Sequence, residues 1–241
     1  MKNAIAILSV SLLSFAACRP ARVLVPESLQ PSEQISIMPV KGRMGLQIGQ
    51  VISYGPYKTG KVRRGWTSGY DIPFVLRFQA ARQKIRFEQF TPDGSSATVA
   101  CVSKFERTDL PLITDFFSIP LKYRNYFAGV IISADSGKPW NFVIYHPDGH
   151  FFREATAGFA YSGSKRIELV ALRELEGQPE WMNLPTVYGF EFRMDGKTLG
   201  AVSLVNRGEV RLRNDLDPEV RLTVASMATA LLLRHNPEDN G

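Results

Sequence analysis

The chain has 241 residues, of which 44% are hydrophobic, so it is long enough to bury one substantial core. Its formal net charge of +6 is a mild basic excess, which is compatible with an anionic surface but does not by itself indicate nucleic acid. Only two cysteines are present, Cys18 and Cys101, which excludes a disulfide framework and a cysteine-rich zinc site.

The N-terminus has the pattern of a secretory leader. Lys2 supplies a positive start, and residues 4–17 form a short apolar segment that ends in small residues. The tetrapeptide Phe-Ala-Ala-Cys at 15–18 resembles a bacterial lipobox, so we expect a lipoprotein signal peptide at 1–17 and a lipidated Cys18. By resemblance to enterobacterial sorting rules, Arg19 after the cysteine implies the outer membrane, on the side that faces the periplasm. An ordinary signal peptide with a chance cysteine remains the alternative.

The segment at 18–43 is rich in proline and shows no sustained helical or strand period, which predicts a tether between the lipid anchor and a folded domain. Its prolines are Pro20, Pro26, Pro31 and Pro39. The domain is then expected at 44–236, and a short polar tail at 237–241.

From about residue 46 onward, apolar and polar side chains alternate with period two, which is typical of half-buried strands. About eleven strands are expected. The segments are 46–54, 58–64, 74–79, 85–88, 97–104, 127–133, 140–146, 167–174, 190–194, 199–205 and 210–213. Asp-Gly pairs in the turns at 91–94, 146–149 and 194–196 predict hairpins, so neighbouring strands should be mostly antiparallel.

The segment at 217–234 predicts a helix that is buried on all sides. Asp217 can cap it and Pro218 suits the first helical position. Between Arg221 and Arg234 no residue is charged, and apolar side chains fall on every face, so the helix must be enclosed by protein. The uncharged run is shorter than the roughly 20 residues that span a bilayer. We therefore expect a mainly β fold: a closed antiparallel barrel of about twelve strands around a central, hydrophobic C-terminal helix.

The residues at 190–205 and 209–218, followed by the apolar helix, resemble the end of the tubby-like superfamily. That group includes tubby C-terminal domains, phospholipid scramblases and the plant LURP-one-related proteins. The resemblance implies a twelve-stranded barrel around a C-terminal helix. It also implies a ligand outside the barrel, because tubby domains bind phosphoinositide headgroups through external basic side chains. None of those ligand residues can be placed on this sequence position by position.

One basic and aromatic cluster is the candidate for an anionic surface. Its members are Tyr54, Tyr57, Lys58, Lys61, Arg63, Arg64 and Trp66. Beside a membrane, each basic residue would contribute roughly 1 kcal/mol. The alternative is a solvated strand edge on which lysines discourage aggregation. The arginines at 207, 211 and 213 present the same choice.

The pentad at 146–150 is the candidate metal or acid–base site, since His146, Asp148 and His150 are ligand types for zinc. A hairpin turn flanked by histidines explains the same residues, as the Pro-Asp-Gly at 92–94 shows. Cys101 is expected to be a small apolar side chain within a strand.

The sequence therefore predicts a non-enzymatic envelope lipoprotein that binds lipid headgroups or an envelope protein, with no catalytic residue, no cofactor and no nucleic-acid partner. Two alternatives stay open. One is an enzyme or metal-binding module that uses the histidine hairpin, and the other is a structural assembly lipoprotein with a protein partner.

Overall fold

The computed structural model describes residues 20–44, 47–65, 83–103, 126–145, 156–179 and 186–234. Within them the chain forms thirteen strands, a 3₁₀ turn at Glu27–Leu29 and one α-helix, α1 (Pro218–Arg234). The strands are β1 (Ile35–Lys41), β2 (Ser53–Tyr54), β3 (Tyr57–Thr59), β4 (Arg63–Arg64), β5 (Gln83–Phe90), β6 (Ser96–Ser103), β7 (Tyr126–Ser133), β8 (Pro139–Tyr145), β9 (Thr156–Ser162), β10 (Lys165–Leu172), β11 (Gly189–Met194), β12 (Lys197–Ser203) and β13 (Glu209–Arg213).

The strands form one antiparallel sheet that closes on itself. From β5 to β13 each strand pairs with the next along the chain, β13 then pairs with β1, and β1 continues through β2 to β3. Pairing of Lys58 with Phe90 joins β3 to β5 and closes the ring. β4 lies along the same edge of β5 as β3, because Arg63 pairs with Arg86. β3 and β4 thus occupy one position, and the barrel has twelve, as the sequence predicted.

The helix α1 fills the interior of this barrel. Every side chain from Leu222 to Leu233 is buried, and the helix contacts β5, β6 and β7 on one side and β12 on another. Inward residues of the strands, such as Phe87 and Phe192, belong to the same apolar cluster as the helix. The predicted enclosure of the helix is therefore confirmed.

Thr229, in the middle of the helix, meets polar groups inside the barrel. Tyr54 Oη donates to the carbonyl of Ala225 at 2.9 Å and lies 3.0 Å from Thr229 Oγ1. Thr229 Oγ1 in turn donates to Gln89 Oε1 at 2.7 Å, and Gln89 Nε2 donates to the carbonyl of Lys58 at 3.2 Å. Burial raises the pKa of Tyr54. The phenol therefore stays a neutral hydrogen-bond donor. The network links the helix to β2 and β3 on one side of the ring closure and to β5 on the other.

The first turn of the helix is held by charge. Asp217 Oδ1 accepts from the backbone N–H of Glu219 at 3.0 Å, which is the predicted cap. Glu219 accepts from Lys165 Nζ at 2.8 Å and from Trp140 Nε1 at 3.0 Å. The Lys165 bond, followed by the Trp140 bond, lowers the pKa of Glu219. A carboxylate beside the helix N-terminus also suits the helix dipole.

The predicted tether is wrong for the part of it that the structure describes, residues 20–43. Val23, Val25 and Leu29 are buried against the outer face of the barrel, in a cluster with Leu172 of β10 and Ala201 of β12. The rest of the segment contains β1, which pairs with β13.

The prolines were a misleading signal, because one of them lies inside a strand of the barrel. Pro39 belongs to β1 opposite Glu209 of β13, and the pairing of β1 with β2 begins only at the next residue, Val40. A residue without an N–H is tolerated there, because only one neighbouring strand is present.

Most predicted strands are confirmed within one to three residues, but the sequence missed two. β1 lies in the segment that the prolines predict to be a tether. β9 is not predicted, because its inward residues, Ala157 and Ala160, are too small to mark an apolar alternation. The segment 46–54 is a strand only at its end, and 58–64 is divided between β3 and β4. The strand expected at 74–79 and the polar tail at 237–241 lie outside the described residues.

Replacing Ala228 with Asp should prevent the chain from folding, because Ala228 is fully buried in the helix. The variant should therefore show no cooperative melting transition. An unpaired carboxylate there costs several kcal/mol, a large share of the roughly 5–15 kcal/mol that stabilises a typical domain. Leu231→Asp should have the same effect, whereas a variant with Lys197→Asp, at the exposed start of β12, should fold. Near-ultraviolet circular dichroism with thermal melting would show this. A native melt for Ala228→Asp would contradict the enclosure.

Candidate functional site

The structure places three members of the predicted basic cluster on the outside of the ring closure, whereas Tyr54 and Tyr57 are buried. Lys58 of β3, Lys61 in the β3–β4 connection and Arg63 of β4 are all exposed, whereas the intervening Thr59 and Val62 are buried. The alternation of the chain therefore turns these three cations outward together.

Lys61 and Arg63 border a groove of about 280 Å³. It is lined by Gly60, Lys61, Arg63, Arg86, Phe87 and Glu88. Three cationic side chains face one carboxylate, and Arg63 lies directly opposite Arg86 in the sheet register. Arg86 was not among the predicted site residues, because the alternation at 85–88 predicts only a strand.

Arg64, also predicted for this surface, has a different role. It is half-buried, and its Nη2 atom donates to Gln50 Oε1 at 3.2 Å and to the carbonyl of Leu233 at 3.0 Å. The second bond satisfies a carbonyl in the last turn of α1, where the helix dipole favours a cation. The geometry therefore assigns Arg64 to holding the C-terminal end of the helix.

Gln50 connects this helix end to the β1–β2 loop. Its Nε2 atom donates to the carbonyls of Gly42 and Arg43, at 3.0 and 3.1 Å. Gly42 has a φ of +78°, and a Cβ at that position would collide with the carbonyl of Val51, so no other residue fits. The base of the loop is thus fixed to the barrel.

Arg43 is the most buried cation of this region, at 3% exposure. Its Nη1 atom donates to the carbonyl of Leu204 at 2.8 Å and to that of Asn206 at 3.4 Å. Burial lowers the pKa of Arg43 to about 10, so the side chain remains charged at neutral pH. It joins the β1–β2 loop to the turn between β12 and β13.

A second groove, of about 340 Å³, lies between residues 20–25 and the β12–β13 turn, with Arg207 in its lining. Arg211 lines it too, but its Nε atom donates to Glu209 at 2.7 Å and its Nη1 atom to the carbonyl of Leu29 at 3.1 Å. Arg213 pairs with Asp215 outside the groove. These two arginines are therefore structural.

Sequence reasoning missed the exposed apolar residues of the β1–β2 loop. Met44, Ile48 and Val51 are 49%, 94% and 43% exposed. Period two over 46–54 suggested a half-buried strand, in which such residues would face the core. Only the glycines at 42 and 49, which suit turns, could have indicated a loop.

Five predicted site residues lie outside the described residues: Cys18, Trp66, His146, Asp148 and His150. In the part of the chain that is described, no group of three or more His, Cys, Asp or Glu residues could hold a metal ion. Cys101 is fully buried in β6, and burial raises the pKa of its thiol, which makes it unreactive. Its apolar role is confirmed.

Comparison of the chain with protein-family models, with curated proteins and with solved structures finds no match in any of the three. Among the helices that the structure describes, none is both long enough and apolar enough to cross a membrane.

Arg63→Leu and Arg64→Leu should differ although the two residues are neighbours. Loss of the Arg64 bonds to Gln50 and Leu233 should destabilise the fold by roughly 1–2 kcal/mol. Replacing the exposed Arg63 should change the free energy of unfolding by no more than about 0.5 kcal/mol. Urea unfolding curves would measure both changes. Equal losses for the two variants would contradict the assignment of Arg64 to the helix end.

Proposed function

We propose that this chain is a bacterial envelope lipoprotein, lipidated at Cys18, whose tubby-like barrel binds anionic lipid headgroups without catalysing a reaction. The observation that carries the proposal is the basic groove at the ring closure, where Lys61, Arg63 and Arg86 face outward together. In this proposal the anchor lies in the outer membrane and the barrel faces the periplasm.

Binding is expected on the outside of the barrel, because its interior is occupied. The helix and the inward side chains form one buried cluster, and the polar atoms of Thr229 and Gln89 bond to each other. An apolar ligand of the kind that lipocalin-like barrels enclose would have to displace the helix.

The shape and charge of the groove suit a phosphate at a membrane surface. The groove lies on the outside of the barrel, and the exposed Lys58 of β3 adds a further cation nearby. Each basic residue near an anionic bilayer contributes roughly 1 kcal/mol, so a few of them give weak binding alone. A lipid anchor would turn that weak affinity into a lasting contact, because it holds the barrel close to the surface.

The tubby-like part of the proposal is supported by architecture alone. A closed barrel of twelve positions around a C-terminal helix is what the resemblance at 190–205 and 209–218 implied. An envelope protein with an acidic surface would use the same basic groove, and the experiment below separates it from a lipid.

Lys61→Gln with Arg63→Gln should weaken binding to anionic vesicles by roughly 30-fold, since two contributions of about 1 kcal/mol are lost. The protein is the unacylated mature chain, residues 18–241 with Cys18→Ser. It retains every described strand and helix and the packed segment from residue 20. Co-sedimentation with phosphatidylcholine vesicles, with and without phosphatidylglycerol, at low and high salt would measure the affinity.

The matched control is Lys138→Gln with Lys197→Gln, which removes the same charge from exposed positions near the other end of the helix, in the β7–β8 connection and at the start of β12. It should bind like the parent chain. Parent binding to anionic vesicles that salt weakens supports the proposal. Absence of binding, or equal losses for the two double variants, would refute it and leave an envelope protein as the occupant of the groove.

Cys18→Ser in the intact precursor should move the protein from the membrane fraction to the soluble periplasmic fraction, because the anchor would be lost. Immunoblots of fractionated cells would show the shift, with a variant that keeps Cys18 as the control. A Cys18→Ser protein that the outer membrane retains as fully as it retains the parent protein at high salt would contradict the lipid anchor.

A further inference from the structure

An exposed apolar tip distinguishes the β1–β2 loop from the rest of the described surface. Four large apolar residues of the described chain are exposed, and three of them, Met44, Ile48 and Val51, belong to this loop. Ile48 is 94% exposed, so its side chain does not stabilise the barrel through burial. Exposed apolar residues that lie together usually mark a contact surface.

The loop presents Ile48 on a fixed base. The side chain of Gln50 ties the loop to its own start, and the N–H of Val62 donates to the Gln50 carbonyl at 2.8 Å. The backbone N–H of Gln50 also bonds to the carbonyl of Gln47, with Gly49 in between at a φ of +68°, so Ile48 lies in a tight turn. Its outward position is therefore set by backbone hydrogen bonds.

The apolar residues are bordered by cations. Because Gln50 pairs with Val62 and Ile52 with Thr59, Val51 lies beside the exposed Lys61. Lys41, at the start of the loop, is also exposed. Apolar side chains with a basic border are the chemistry of an anionic bilayer surface, where the cations meet headgroups and the apolar tip enters the acyl boundary.

The start of the described chain lies at the same end of the barrel. Asn206 Nδ2 donates to the carbonyl of Ala21 at 2.7 Å, and Arg43 of the loop donates to the carbonyl of Asn206. Cys18 is three residues before Ala21, so it is within about 11 Å of that carbonyl even if the chain is extended. A lipid on Cys18 would bring the loop to the membrane.

We propose that the β1–β2 loop inserts Ile48, flanked by Met44 and Val51, into an anionic bilayer and orients the barrel end-on. The C-terminal end of α1 then faces the membrane, since Arg64 links Gln50 of the loop to Leu233. The choice of a bilayer rests on the proposed function, whereas the inserting residue and the orientation go beyond it.

The test places a fluorophore on Ile48→Cys while the barrel is held at the membrane by independent means. The chain from residue 18, with Cys18→Ser, carries an N-terminal histidine tag and is attached to vesicles that contain nickel-chelating lipid and phosphatidylglycerol. Cys101 is fully buried and should take up no label, which the parent chain checks. An environment-sensitive dye at 48 should shift to the blue and be quenched by spin labels on the acyl chains.

The matched control is Asp135→Cys, an exposed turn position that lines a hollow with Pro218 at the opposite end of the helix. Its dye should stay solvent-exposed on the same vesicles. A dye at 48 that is not quenched, or equal quenching at 48 and 135, would overturn the insertion. The tag makes this result independent of headgroup affinity, which the untagged Lys61 and Arg63 variants measure.

A second measurement uses the unlabelled, untagged chain at high salt, where the headgroup attraction is screened. Ile48→Ser should release about tenfold more protein from anionic vesicles than Ile48→Leu, because only the serine removes the apolar side chain. Both substitutions lie outside the core and should leave the melting temperature unchanged. Equal retention of the two variants would contradict the insertion of Ile48.

Discussion

The fold depends on one constraint: a helix that is apolar on every face must be enclosed on every face. α1 has no charged residue from Leu222 to Leu233, and all of these side chains are buried. A two-layer sandwich would cover only part of such a helix, whereas a ring of twelve strand positions covers all of it. Thr229, a polar residue in this apolar interior, is paired with Gln89. A side chain bonds to a free backbone group at each end of the helix: Asp217 accepts from an N–H at the start, and Arg64 donates to a carbonyl in the last turn.

Enclosure of the helix moves any ligand to the outside and makes the two ends of the barrel chemically different. Around the start of α1, Asp217 caps the helix, and Glu219 is neutralised by Lys165. Around its finish, Arg43 and Arg64 bind main-chain carbonyls, and additional exposed cations border an apolar loop. Cations near the last turn suit the helix dipole. Arg64, which satisfies the helix end, thus lies in the same stretch of chain as the exposed Lys61 and Arg63, at the end where we propose membrane contact.

The sequence predicted the parts of the fold that follow from local pattern. The uncharged run of α1, the alternation around Phe190 and Phe192 and the Asp-Gly turn at 195–196 each indicate one structure. The packing of residues 20–43 on the barrel depends on contacts with β10 and β12, which no local pattern reveals. The candidate site was predictable to the same extent. The alternation with period two predicts the outward lysines, but the inward position of Arg64 and the exposure of Ile48 depend on how distant segments pack together.

The membrane contact that we propose would combine three signals that the fold brings to one end of the barrel. A few cations or one inserted isoleucine would each bind reversibly alone, whereas a lipobox cysteine carries more than one acyl chain, which suffices for stable anchoring. Arg43 and Asn206 connect the loop to Ala21, three residues after the proposed anchor, and the pairing of Gln50 with Val62 sets the loop beside Lys61. Because these connections are internal to the barrel, the three signals share one orientation. Each one that engages therefore raises the effective concentration of the others at the surface.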